Sequence, residues 1–192
     1  MTVRWFGVFL SMGVLLVSIG IHADENWPQW RGPDQNGISS ATNLPETWSE
    51  TKNVVWKTPL PSWSGGTPIL WGDRIFLTSP SKPAADAGSS PAGGPALLLL
   101  ALSKKDGTLL WEAELDTGNK MRNKQNDSSP SPVTDGEHVW AVTGTGTVAA
   151  LTMNGEIIWK HNLQTEYSPF GLNFGYASSP LLFEGKLIVQ VL

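Results

Sequence analysis

The chain contains no cysteine among its 192 residues. That absence excludes disulfides, thiolate zinc sites and export through a lipid on an N-terminal cysteine. Histidine is scarce as well: of three, only His138 and His161 lie beyond the N-terminal segment. Two separated imidazoles without thiolates do not make a zinc site, and both read as strand residues on a surface or between sheets. The many serines stand in no Gly-x-Ser-x-Gly context and beside no paired base, which removes the usual hydrolase arrangement. Gly144-Thr145-Gly146 is followed by a strand pattern rather than a helix, so it reads as a turn and not as a phosphate loop. Positive charge is also short: Lys and Arg total 13 against 17 Asp and Glu, a net charge of −4. No basic stripe is left to neutralise phosphates, which argues against nucleic acid as a partner.

The first residues read as a targeting segment and not as fold. Arg4 gives a positive start, residues 5–21 are an apolar run, and Ile21-His22-Ala23 precedes the acidic pair Asp24-Glu25. This pattern predicts a signal peptide over residues 1–23, cut after Ala23, and hence an exported protein, periplasmic or extracellular, with no membrane span after cleavage. The rival reading is an uncleaved anchor, because the run is near the length of a spanning helix.

What is present in abundance is tryptophan, ten residues, together with glycine and a repeat that places both. The clearest copy covers residues 131–163. Short β-branched and aromatic runs alternate there with Asp135-Gly136, the Gly144/Gly146 pair and Asn154-Gly155. Asp-Gly and Asn-Gly between such runs signal hairpins, because both central residues of a type I′ turn need a positive φ. Residues 67–115 follow the same order through Gly72-Asp73 and Asp106-Gly107, and residues 179–192 begin it again through Glu184-Gly185. Trp111 and Trp159 each stand four positions after a turn glycine, Gly107 and Gly155, and 48 positions apart. Pro132 and Pro180 keep that interval, whereas Pro68 and Pro132 are 64 apart; the Ala-, Gly-, Ser- and Pro-rich residues 80–96 account for the excess and read as a mobile insertion. Four strands per ~40–50 residues is the signature of a β-propeller blade. Trp56, in NVVWKTPL, matches the two blade tryptophans and makes residues 53–60 an expected outer strand without a blade of its own.

The predicted fold is therefore all-β, a partial propeller of four-stranded antiparallel blades with about two and a half blades present. Residues 24–52 form an N-terminal arm, ordered because its WPQWRGP opening carries two tryptophans. Residues 53–192 hold the repeats: the lone strand 53–60, blades 67–115 and 131–163, and the half blade 179–192. Both ends lack strand partners, so the missing C-terminal blades of the same protein are expected to complete the ring, since open β-edges this apolar would aggregate. Trp56, Trp111, Trp159, Gly107 and Gly155 are the expected structural anchors.

In an up-and-down blade, alternate connections leave by opposite faces. The turns at Gly72, Gly107, Gly136, Gly155 and Gly185 are short and share one face; residues 80–96, 116–130 and 164–178 are long and share the other. Binding residues concentrate on such loops. In an otherwise acidic protein, Lys120, Arg122 and Lys124 stand together on that face with Asn126, and Tyr176 with Phe170 and Phe174 could wall a site for an anionic small ligand or a protein partner. Solvated loop residues and core aromatics are the plainer account of the same pattern. Asp34, Asn36, Asp127 and Glu166 are isolated and read as turn residues.

Residues 100–111 (LALSKKDGTLLW) and 148–159 (VAALTMNGEIIW) resemble the repeat of the pyrroloquinoline quinone (PQQ)-like propellers. WPQWRGP, RNKQNDSSPSPVTDG and FGYASSPLL resemble its exported bacterial subgroup of PQQ-binding-like repeat proteins. The resemblance spans residues 27–192. It implies one of two functions: a quinoprotein oxidoreductase of alcohols or sugars holding PQQ and calcium in the central funnel, or a cofactor-free binding or scaffold protein. The chain lacks the adjacent-cysteine disulfide on which many alcohol-oxidising members stack the quinone, and it shows no Asp/Glu/Asn cluster with calcium-ligand spacing. The expectation is an exported, non-catalytic binding or scaffold module with no catalytic, cofactor or metal residues of its own. The alternative is a PQQ- and calcium-dependent dehydrogenase with its site in blades outside this chain.

Overall fold

Glycine-centred turns set the strand ends. In the computed structural model, which describes residues 26–42, 44–86, 88 and 92–191, the first sheet comprises β1 (Ile69–Trp71), β2 (Arg74–Pro80), β3 (Ala96–Ser103) and β4 (Leu109–Thr117). A two-stranded hairpin follows, β5 (Met121–Arg122) and β6 (Gln125–Asn126). The second sheet is β7 (Val133–Thr134), β8 (His138–Val142), β9 (Thr147–Thr152) and β10 (Ile157–Asn162). One helical turn, α1 (Leu163–Glu166), leads to the hairpin of β11 (Leu181–Phe183) and β12 (Lys186–Ile188). Each four-stranded sheet is antiparallel with its strands in chain order. Gly72, Gly107, Gly136, Gly155 and Gly185 all have positive φ, but Asp106, Asp135 and Asn154 do not. These turns therefore carry one left-handed glycine rather than the two left-handed residues of the expected type I′ turn; both residues are left-handed at Glu184-Gly185 (φ 48 and 70). The molecule is all-β: two four-stranded blades of a propeller and the first hairpin of another.

The two-residue period of the strands sorts side chains between blades. Leu99 and Ala101 of β3, with Ile69, Phe76 and Leu115, pack against Val139, Ala141, Ala149 and Leu151 of the second blade. Full burial of each large side chain contributes about 1.5–3 kcal/mol. Leu98, Leu100 and Leu102 point the other way and pack with Leu77. Alanine at 101, 141 and 149 keeps the two sheets close.

Two kinds of contact recur from blade to blade. On the outside, the Trp111 ring covers Gly155, where a β-carbon would lie 2.6 Å from Cδ2, and Trp111 Nε1 donates to Met153 O at 3.0 Å. The Trp56 ring covers Gly107 in the same way, and its Nε1 donates to Lys104 O at 3.0 Å. On the inside, Thr67 N–H donates to Ser131 Oγ at 2.8 Å and Ser131 N–H donates to Ser179 Oγ at 2.9 Å. Each of these three residues precedes the proline that opens a blade.

The start of the described arm runs along the innermost strands. Trp27 and Leu70 exchange backbone hydrogen bonds, both 2.9 Å, and Thr134 N–H donates to Pro28 O at 2.9 Å. Residues 26–29 thus lie on the free edge of β1 and reach across to β7.

Two expectations are qualified. Residues 53–60 form no strand: Trp56 and Thr58 bond to the β3–β4 turn through side chains (Thr58 Oγ1 to Gly107 O, 2.6 Å), and no ladder partner is present for the backbone. Trp159 has its expected place in β10, but no turn glycine lies on its ring, which is 36% exposed and touches His161 at a centroid distance of 5.4 Å. At the ends of residues 80–96 the β2–β3 pairing continues, with Gly94 N–H donating to Ser81 O at 2.7 Å and Ser81 N–H to Ala96 O at 2.8 Å; the tip of the insertion lies outside the described residues. The signal segment lies outside the described residues. Among those residues no helix is long and apolar enough to cross a membrane.

Candidate functional site

The long connections, β2–β3, β4–β7 and β10–β11, leave the blades on one face and are stitched to each other. Asn119 Nδ2 donates to Ala92 O at 2.6 Å and to Gly94 O at 2.9 Å, joining the second long loop to the first. Gln125 Nε2 donates to Phe174 O at 2.7 Å, joining it to the third. Asn123, at φ 62, turns the β5–β6 hairpin, an asparagine tolerating the left-handed region better than most residues.

A buried carboxylate holds the centre of this loop set. Asp127 is 1% exposed. Its Oδ2 accepts from Lys120 N–H at 2.8 Å, and its Oδ1 faces Arg122 Nε at 3.5 Å, an ion-pair separation too long for a good hydrogen bond. Its backbone carbonyl accepts from Gly144 N–H at 2.6 Å, and a β-carbon at Gly144 would sit 2.5 Å from Oδ1. The loop tip, the hairpin and the β8–β9 turn therefore meet at one side chain. A second carboxylate does similar work: Asp116 Oδ2 accepts from Thr147 Oγ1 at 2.6 Å and from Thr145 Oγ1.

The predicted binding-face residues separate into two groups. Lys120, Arg122 and Lys124 are exposed on or beside the hairpin, with Arg122 partly neutralised by Asp127. Asn126 and Tyr176 are not surface residues. Asn126 is 1% exposed and donates to Trp63 O at 3.0 Å and Ala92 O at 3.3 Å. Tyr176 is 3% exposed, packs on Phe170 at 5.0 Å and belongs to the core with Val142 and Val148. Burial pushes its hydroxyl up to about 12. Both are corrected from binding candidates to supports. Asp127, read as a turn residue, is the residue the sequence reading missed; the signal was one acid closing a cationic loop, five positions after Arg122.

Of the histidines, His161 Nδ1 lies 2.9 Å from Glu166 Oε1, and His138 packs on Trp140 at 5.6 Å. Trp159, His161, Tyr167 and Leu187 border a groove of about 480 Å³. On the long-loop face, Asp116 accepts from threonine hydroxyls, and Asp127 accepts from a backbone N–H and pairs with a guanidinium. Among the described residues no three His, Asp or Glu side chains come together to hold a metal ion.

Comparison with known proteins places this architecture. No curated protein matched the sequence. Among solved structures, the crystal structure of BamB from Moraxella catarrhalis aligns with a TM-score of 0.45 at 14% identity, over 68% of this chain. The chain spans 35% of the length of that structure. The family model described as outer membrane protein assembly factor BamB, a PQQ-repeat model, matches residues 42–189. The repeat's resemblance to PQQ-like propellers is thereby borne out, and the chain belongs to the BamB family of PQQ-repeat β-propeller proteins.

Proposed function

We propose that this chain is part of an exported, non-catalytic binding or scaffold protein that meets its partner on the long-loop face. The observation that carries the reading is the way that face is built. Its loops are cross-linked by side chains and centred on the buried Asp127, so a shaped surface is held ready. Preorganised loops lose less entropy on binding than free ones. Membership of a family described by an assembly factor favours the same reading, and export to the periplasm or beyond agrees with it. The remaining blades of the ring would be supplied by the same polypeptide.

The alternative function is PQQ- and calcium-dependent oxidation of alcohols or sugars by ligands in other blades. The deciding experiment is dye-linked oxidation of a panel of alcohols and sugars by the purified full-length protein with added PQQ and Ca²⁺. The scaffold reading expects no turnover above that of the free cofactor; substrate-dependent dye reduction would overturn it.

A further inference from the structure

The β5–β6 hairpin carries charge of the opposite sign to the protein as a whole. Between Asp116 and Asp127 there are three cations and no acid, in a chain of net charge −4. Asp127 is buried beneath the hairpin and offsets Arg122 alone. Among the described residues neither Lys120 nor Lys124 has a carboxylate partner.

The hairpin is also fixed in place. Met121 pairs with Asn126 and Arg122 with Gln125. Asn126 is anchored to Trp63 and Ala92, Gln125 to Phe174, and the Arg122 stem packs on Gly175, where a β-carbon would lie 2.7 Å from Cγ. A solvated loop of lysines needs none of these ties.

Phe174 adds an apolar contact. It is 65% exposed, its backbone is held by Gln125, and with Arg122, Asn123 and Lys124 it borders a concavity of about 290 Å³. Aromatic residues and arginine are the types enriched at protein interfaces, and long-range attraction of opposite charge speeds and orients docking.

Resting on the binding reading above, we propose that this cleft docks an acidic segment of a protein partner, one carrying an apolar side chain between its carboxylates. In the cleft the carboxylates pair with Lys124 and the outer part of Arg122 and the apolar side chain lies on Phe174, while Lys120, exposed at the start of the hairpin beside the cleft, takes a further carboxylate. A nucleic acid would use the same cations, so an oligonucleotide serves as the competing probe in the test.

The test is fluorescence anisotropy on the full-length protein with three probes: a labelled peptide alternating Glu with Leu and Phe, the same peptide with Lys for Glu, and an oligothymidylate. The acidic peptide is expected to bind, more weakly at physiological salt than at low salt. The Lys120→Glu/Lys124→Glu double variant should weaken it by about tenfold or more, and Phe174→Ser should weaken it as well. All three positions are exposed, and an unchanged near-ultraviolet circular dichroism spectrum would verify that each variant folds. The proposal is overturned if the acidic peptide fails to bind, if charge reversal leaves its affinity unchanged, or if the lysine peptide or the oligonucleotide binds as tightly. Dye-linked turnover in the same preparation would sink the scaffold reading instead, so the two failures are distinct.

Discussion

The Trp111 indole lies flat against Gly155 of the neighbouring blade and donates its N–H to Met153 O, two residues before that glycine. One side chain thus fills the hollow left by a missing β-carbon and satisfies a turn carbonyl. Trp56 and Gly107 repeat the relationship.

Gly155→Ala should therefore be costly. The glycine has φ +89, and the new methyl would meet Trp111 at 2.6 Å. Left-handed strain and overpacking together predict a loss of about 2–4 kcal/mol. Gly185→Ala is the control: its φ is +70 but nothing lies within 4 Å, so only the strain of about 1–2 kcal/mol remains. Urea midpoints of the two variants, with unchanged m-values, check the difference.

Ser131→Ala removes the inner contact. Ser131 is 2% exposed, and its hydroxyl is the acceptor for Thr67 N–H. The variant should lose about 1–2 kcal/mol, the usual effect of leaving a buried donor unmatched. Ser168→Ala, at an exposed position, should leave the urea midpoint unchanged.

Much of this was legible in the sequence, because blade geometry is local. Asp106-Gly107, Asp135-Gly136 and Asn154-Gly155 mark the turns correctly through their left-handed glycines, although the type I′ form with two left-handed residues is not adopted, and the 48-residue interval places Trp111 and Trp159 in equivalent strands. The sequence says less where a partner decides the outcome. Residues 53–60 have a strand's pattern and, as expected of a lone strand, no ladder among the described residues, and Trp159 has an anchor's position with none of the described glycines against it. Trp159→Ala should accordingly cost this chain less than Trp111→Ala; the Trp111 ring is partly buried, which puts its loss at the lower end of the core range, about 3 kcal/mol. In the candidate site, the exposed lysines were readable as a charge cluster. The burial of Asn126, Asp127 and Tyr176 was not, since it depends on loops distant in sequence.

Asp127→Ala should loosen the long-loop face. It strips the Lys120 N–H of its acceptor and Arg122 of its counter-ion; the charge-assisted hydrogen bond alone is worth about 1.5–3 kcal/mol. Faster hydrogen exchange at the Lys120 amide, with little change at β9, would locate the loss in the loop set. Uniformly faster exchange would mean that Asp127 supports the blade as a whole.

Stability should fall in alkali through Tyr176. Its hydroxyl is pushed up to about 12 by burial, against an ordinary value of 10.0. The folded state therefore holds this proton more tightly than the unfolded state. The associated stability is fully present below pH 10 and is lost as pH rises from there through about 12. Tyr176→Phe should flatten this part of the urea-unfolding profile. It should cost little at neutral pH, because the buried hydroxyl makes no hydrogen bond.

The central claim is that the long-loop face is a binding surface of a cofactor-free propeller. Equilibrium dialysis of the full-length protein against PQQ in the presence of Ca²⁺ tests it most directly. The account predicts equal PQQ concentrations on the two sides of the membrane. Saturable retention of one PQQ per chain, released by a calcium chelator, would contradict it and assign the propeller to the quinoproteins.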